Sequence, residues 1–395
     1  MKLSRIAIAS LLMAGALASC TPNNNSSGGA AGGKVKVGLI CLHDSSSTYD
    51  KNFIDSMAAA AADLGNVLDG APIIKTDVDE SNDCYTAAKD LIRQGCNVIF
   101  ADSFGHEDFM LQAAQEYPNV TFCHATGTKA KVAGVKNFHN AFASIYEGRY
   151  LAGYAAGLKL KSMVEANQLT SANYDGENIR LGYVGAYPYA EVVSNVVMDV
   201  TFTSSWYNFD SEKAGVVTLA NRGAALISQH ADSMGAPGEC ESRGIPNVTY
   251  NVPTAQECPN TYVAYSKIDW APYYKAVVNA VAEGRDIEGE VNNNYTGTLG
   301  TGSVVYVAKD PTIQATIDGI KAELVAGTRK VFDCSKFTVN GQHLTSYLAD
   351  VDDMGDFVPE TNVIKTENGI TFFNESALRS APYFDVAIDG ITKLN

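Results

Sequence analysis

From residue 34 onward, short and nearly continuous apolar runs alternate with helix-prone segments. That alternation narrows the fold more than any other feature of the chain. Val35 to Leu42 (VKVGLICL) is apolar almost throughout, as a parallel strand covered on both faces has to be. Asn52 to Leu64 is rich in alanine, and Gly65 follows where a helix would end. Ile73–Ile74 opens a second strand, and Ser81 to Gln94 reads as a helix with its own N-cap. Val98 to Ala101, His106 to Glu116 and Val120 to Cys123 continue as strand, helix, strand. The repetition predicts an α/β protein with open parallel sheets and helices on both faces.

The pattern restarts at Ile145 to Lys161, a helix whose Tyr150, Leu151, Tyr154 and Leu158 share one stripe. Strands are expected at Arg180 to Val184, Met198 to Thr203, Ala225 to Ser228 and Asn247 to Asn251. Trp270 to Glu283 reads as a helix and Ser303 to Val307 as a strand. Residues 335–395 are richer in turns and read as an elaboration on the second half. One join breaks the rhythm. The strands near Ala186 and Val197 lie only about ten residues apart, whereas a parallel crossover takes a dozen or more, normally with a helix. Either these strands are not parallel neighbours or a helix is missing.

With 395 residues, 46% of them hydrophobic, the chain can fill more than one core. Its net charge of −15 is the wrong sign for a phosphate backbone, so nucleic acid is not an expected partner. The first nineteen residues read as an export signal: Lys2 and Arg5, then an apolar-rich run from Ile6 to Leu17 too short to span a membrane. The run ends in Leu17-Ala18-Ser19-Cys20, which resembles the lipobox of bacterial lipoproteins and makes Cys20 the expected lipidation site. Thr21 to Gly33 is Gly/Ser/Asn-rich and reads as a flexible tether. The expected location is the extracytoplasmic face of the plasma membrane, reached through the lipid anchor.

Motifs for catalysis are absent from the sequence: no G-x-G-x-x-G, P-loop, H-E-x-x-H or G-x-S-x-G occurs. There is no C-x-x-C pair and no Cys/His spacing of the zinc type, so neither a metal nor a cofactor is expected. Cys240 and Cys258 leave a disulfide open. His230-Ala231-Asp232-Ser233 holds the residue types of a hydrolytic triad, but chain neighbours rarely adopt that geometry. What does stand out is a set of polar and aromatic residues just past strand ends, where open α/β sheets bind ligands. It includes His43, Asp44, Tyr49, Asp50 and Phe53, then Asp102, Ser103 and Phe104, then His124, and Gln229, His230 and Asp232. Rings that stack and carboxylates that accept from hydroxyls suit a planar ligand carrying hydroxyl donors.

Taken together, the lipobox, the strand-end loops and the two-half layout resemble the basic membrane protein family. The specific stretches are Asp44 with Asp50-Lys51-Asn52-Phe53, Asp102-Ser103-Phe104-Gly105 and His124-Ala125-Thr126-Gly127. Glu147-Gly148-Arg149-Tyr150-Leu151-Ala152-Gly153, Gln229-His230-Ala231-Asp232-Ser233 and Trp270-Ala271-Pro272-Tyr273-Tyr274 complete the set. The family consists of lipid-anchored substrate-binding proteins of ABC importers, best known for purine nucleosides. The resemblance implies a type I periplasmic-binding-protein fold, two Rossmann-like lobes with three crossovers and ligand in the cleft. It places 34–142 with 268–299 in one lobe and 143–267 with 300–395 in the other. It implies a monomer that binds a purine nucleoside or nucleobase, partners an ABC permease and performs no chemistry. Rival readings are a ligand-sensing surface lipoprotein and a nucleoside-processing enzyme.

Carried over, Phe53 stacks on a base, Asp44 and Asp50 sit at the cleft mouth, Asp232 faces them and Trp270 lies near a crossover. Tyr49, Phe104, His124 and Glu191 complete the expected ligand-binding set. Two departures are visible. Asn251-Val252-Pro253-Thr254 replaces an acidic stretch of the family, and the join after Glu191-Val192-Val193 lacks a crossover helix.

Overall fold

The computed structural model describes residues 33–186, 196–290, 294–351 and 360–395. The expected signal and tether, Cys20, Glu191 and the join at 187–195 lie outside these residues. The strands and helices run in order as β1 (Val37–Ile40), α1 (Thr48–Leu64), β2 (Ile73–Lys75), α2 (Asn82–Arg93), β3 (Val98–Ala101) and α3 (Glu107–Glu116). Next come β4 (Thr121–Ala125), α4 (Ala130–Ala133), β5 (Phe138–Ala143), α5 (Ile145–Glu165), β6 (Tyr174–Asp175), β7 (Asn178–Gly185), β8 (Val196–Phe202) and α6 (Phe209–Asn221). They are followed by β9 (Ile227–Gln229), α7 (Gly235–Arg243), β10 (Asn247–Tyr250), β11 (Tyr262–Ile268), α8 (Ala271–Ala282) and α9 (Ile287–Glu290). The last elements are β12 (Asn294–Gly297), β13 (Val304–Ala308), α10 (Pro311–Val325), β14 (Leu348–Ala349), β15 (Thr361–Asn362), β16 (Ile364–Glu367), β17 (Ile370–Phe373) and β18 (Ile391–Lys393).

Two sheets result. The first has the order β12-β5-β4-β3-β1-β2 and is parallel throughout. The second has the order β13-β11-β10-β9-β7-β8-β18, with β13 antiparallel at one edge. The chain passes between the sheets three times: after β5, after β11 and after β12. This is the α/β fold of type I periplasmic-binding proteins. The edge strand β13 departs from an all-parallel expectation, as mixed sheets of this size often do.

Local sequence explains the helix starts that matter for the site. The Ser47 hydroxyl caps α1 by accepting from the Asp50 amide, and Asn208 caps α6 by accepting from the Ser211 amide. Proline at the first turn of α10 and the Asp310 cap do the same there. In the first sheet α1 and α8 cover one face, with Phe53, Met57 and Val277 buried. Across the sheet, α2 and α3 bury Leu91 and Met110. In the second sheet α6 and α7 cover one face through Val216, Leu219 and Cys240. The other face carries α5 and α10, with a separate cluster from residues 332–388 that includes Phe332, Phe373 and Phe384.

The two anomalies of the sequence resolve differently. β7 and β8 are parallel neighbours in full register, Ile179 opposite Val196 through Gly185 opposite Phe202. The first alternative, that they are not paired, is therefore wrong. Cys240 and Cys258 are free, buried thiols rather than a bridge.

Candidate functional site

The C-terminal ends of both sheets face one another, and the lobes touch there. The Thr48 amide, in the first turn of α1, donates to the Asp232 carbonyl beyond β9 at 2.8 Å. The His43 ring lies 5.6 Å from that of Tyr207, which follows β8. Thr48 and His43 belong to the first sheet's loops, Asp232 and Tyr207 to the second's, so these contacts close the cleft.

At this junction several buried polar atoms have no hydrogen-bond partner among the described residues. Asn52 Oδ1 and Asp102 Oδ2 come from the first lobe, Gln229 Oε1 and Ser266 Oγ from the second, and Trp270 Nε1 from the second crossing. An unmet buried polar group costs on the order of 1–3 kcal/mol, so these atoms are candidate partners for a polar ligand. The donors and acceptors are mixed. The Trp270 indole can only donate, while the Asn52 and Gln229 oxygens can only accept.

Electrostatics sharpen the picture. Burial, and then the neighbouring Asp50, push the Asp102 carboxyl well above the usual range. Burial followed by Asp50 and Glu212 does the same to Asp232. Both are therefore inclined to hold a proton and to donate. Cys41, Asp50 and Asp102 bring their ligating atoms within 4.8 Å of one another. Burial and Asp102 push the Cys41 thiol up as well. With the Cys41 thiol and the Asp102 carboxyl both pushed toward the protonated form by burial, this set is a poor host for a cation, which needs deprotonated ligands.

The expected site residues separate into groups. Asp232 is 4% exposed and accepts from Asn251 Nδ2 at 3.0 Å, placing it at the lobe contact. Tyr49 donates its hydroxyl to the Asp102 carbonyl at 2.8 Å, beside the site. Trp270 begins α8 at the crossing, with its amide donating to Ser56 Oγ at 3.3 Å. Asp50 is buried and occupied: it accepts from Ser47 Oγ at 2.6 Å and from the His43 amide at 2.8 Å. Asp44 is exposed and accepts from the Ser46 amide at 2.8 Å. Phe104 is half-buried in the turn after β3.

Two residues are placed by packing. Phe53 is 2% exposed, with Trp270 stacked on it at 4.4 Å and Tyr49 tilted against it at 4.9 Å. Its ring supports Trp270 rather than presenting a bare face. His124 joins strands: Nε2–H donates to the Ser103 carbonyl at 2.7 Å and Nδ1 accepts from Asn140 at 3.3 Å. Burial pushes it down to about 4, so the ring stays neutral. The adjoining Gly127 is required by closeness, since a Cβ there would stand 2.3 Å from His124, Asn140 and Glu107 atoms. The His124–Gly127 stretch is therefore a packing device behind the site.

The triad-like run does not assemble. His230 Nε2 accepts from the Ala186 amide at 3.0 Å, and Nδ1 pairs with the Tyr183 hydroxyl at 2.7 Å. Burial and Arg149 push His230 down to about 3, and Ser233 Oγ accepts from the Gly235 amide. Neither ring nitrogen faces the serine. Asp102 and Gln229 were visible as strand-end polars, without being singled out. Asn52 and Ser266 were missed; a buried asparagine on the apolar stripe of α1 was the available signal for the first.

With fold and site described, the class is a two-lobed solute-binding protein. The family model described as "ABC transporter substrate-binding protein PnrA-like" (Bmp) matches residues 37–318, and the chain belongs to that family. A purine-binding protein of Brucella abortus is 28% identical over 65% of this chain and 72% of its own. A putative ABC transporter glucose-binding protein of Haloferax volcanii is also 28% identical; the match covers 48% of this chain and 46%, about half, of that relative's length. Among solved structures, an ABC transporter solute-binding protein from Conexibacter woesei superposes with a TM-score of 0.56 at 15% identity, covering 75% of this chain and 98% of its own, a likeness of fold. No helix among the described residues is long and apolar enough to cross a membrane.

Proposed function

We propose that this chain is a lipid-anchored receptor that captures a purine nucleoside or nucleobase outside the cytoplasm and delivers it to an ABC permease. The observation that carries the ligand reading is the mixed set of unmet polar atoms at the lobe contact. A purine edge offers both ring-nitrogen acceptors and N–H donors, matching Trp270 Nε1 on one side and the Asn52 and Gln229 oxygens on the other. The Brucella relative's name is consistent with it. Closure is the working step: a ligand that touches both lobes binds the closed form alone and shifts the population toward it. Anchoring would rest on Cys20, and Cys20→Ser should release the protein from the membrane fraction.

Calorimetric titration with adenosine, guanosine, adenine, hypoxanthine and glucose tests the ligand. Binding of a purine compound, weakened at least tenfold by Asp232→Asn or by Gln229→Leu, supports the reading. Binding of glucose with no purine bound sinks it and favours a sugar, as the Haloferax relative's name suggests. Turnover of a bound nucleoside would move the protein to the enzymes.

A further inference from the structure

A second chamber runs from the end of β5, at Phe142 and Ala143, along α5. It encloses about 710 Å³ between α5, the β7–β8 side of the second sheet and the C-terminal segment. That volume falls within the range of small-molecule pockets. Its walls are mainly apolar and aromatic, with Leu181, Met198 and Leu226 from the sheet, Tyr150 from α5, and Phe332 and Phe384 from the C-terminal segment. The chamber opens to solvent along α5, where Gly153, Tyr154 and Gly157 are exposed, and the closure mechanism does not account for it.

Glu375 also lines it. This carboxyl is 6% exposed, and its Oε1 accepts from the Tyr383 amide at 2.9 Å while Oε2 has no partner among the described residues. The surroundings discriminate among head groups. Arg149, Arg329, Lys330 and Lys336 line the same chamber against Asp333 and Glu375, so an ammonium head meets an excess of positive charge. We propose that the chamber binds an uncharged amphiphile, an apolar chain or ring bearing a hydroxyl that pairs with Glu375 Oε2.

A hydroxyl serves either form of the carboxyl, accepting from the acid and donating to the carboxylate. Burial raises Glu375 to about 7, opposed by the Tyr383 amide and by Arg379. Tyr146, from α5, donates to the Glu375 backbone carbonyl at 3.4 Å, and no acidic side chain but Asp333 shares the chamber with Glu375. Both protonation states are thus within reach near neutral pH, and a hydroxyl, unlike a charged head group, is indifferent to the change.

The walls supply a clean variant. Gly153 and Gly157 lie one turn apart on α5 at the chamber, and a Cβ at either meets nothing within 4 Å. Leucine at both sites fills the space without displacing backbone. Purified protein is titrated with decanol, decanoate and decylammonium between pH 6 and 8. The proposal expects saturable one-to-one decanol binding that is flat with pH. Decanoate should weaken as pH rises and should recover at pH 8 in Glu375→Gln, whose amide donates. Decylammonium should bind at least tenfold more weakly. Gly153→Leu with Gly157→Leu should reduce decanol affinity at least tenfold while purine binding at the lobe contact holds and the thermal midpoint does not fall. Absence of saturable decanol binding, or binding unchanged in the double variant, overturns the proposal. So does displacement of decanol by the cleft ligand, which would place both in one site.

Discussion

The two lobes solve the same covering problem with different material. In the first sheet α1 joins β1 to its outer neighbour β2 and lies with α8 on one face. In the second sheet β7 and β8 stand in the same relation, but nine residues, 187–195, separate Ala186 from Val196. That is below what a helical crossover takes. The C-terminal segment stands on that side instead. β18 extends the sheet beyond β8, and the Phe332–Phe384 stack, at 4.4 Å, anchors a cluster that reaches the main core through Val331 and Ile391. The difference teaches that a sheet face needs cover, whatever part of the chain brings it. The 710 Å³ chamber lies on this side, between α5, the sheet and the C-terminal segment.

The comparison can be broken most forcefully by removing one ring from each lobe. Phe53→Ala and Phe384→Ala should each cost about 3–5 kcal/mol in urea unfolding, because both rings are buried and stacked. A loss below about 1 kcal/mol for Phe384 alone would make the C-terminal segment an ornament rather than cover. The next effect is on pH. Burial raises the Glu375 pKa from 4.5 to about 7, so its protonated form is the one the folded chain favours. Its stabilising contribution is whole below the unfolded value and declines as pH climbs through about 7. Stability of Glu375→Gln should decline less over that interval; parallel curves for the two proteins would refute it.

Hydrogen exchange reads the fit of that cover directly. Amides of β7 and β8 should exchange about tenfold faster than those of β1 and β3, ~1.4 kcal/mol less costly to open. Equal protection would show that the substitute cover is as tight as a helix. The smallest effect concerns glycines. Gly157→Ala on α5 should stabilise by about 0.5–1 kcal/mol, since its Cβ enters open space and alanine favours helix. Gly38→Ala in β1 should destabilise, because its Cβ would stand 2.7 Å from Leu91 Cδ1. Thermal melts of the two variants moving in the same direction would remove this contrast between the lobes.

The fold was legible because strand runs such as Val35 to Leu42 and the helix stop at Gly65 act locally; the Ser47 cap went unread, and α1 begins at Thr48 rather than Asn52. The pairing of β7 with β8 was not, since register depends on partners distant in sequence and the short join argued against it. Strand-end logic pointed to the loops that meet at the lobe contact. It could not separate Asp232, at the lobe contact, from Asp50, whose oxygens are already taken by Ser47 and His43. Both are aspartates past a strand end, and only the third dimension says which one sits at the lobe contact. Phe53 shows the same limit: a ring near a helix start can stack on a ligand or on Trp270, and the composition of the loop is identical in either case.

The strand at Ile391–Lys393 has a consequence for the order of events in the life of the chain. It pairs with Met198–Val200, and the Leu394 amide donates to the Val200 carbonyl, so an edge of the second sheet is built from residues almost two hundred positions apart. While the chain is being made, β8 waits with that edge bare until β18 arrives. Closing so long a loop is slow, and a bare strand edge is open to wrong partners meanwhile. The second lobe should therefore be the last to mature, and a fusion placed directly after Asn395, whose side chain bonds to the Phe202 amide, would crowd that final step.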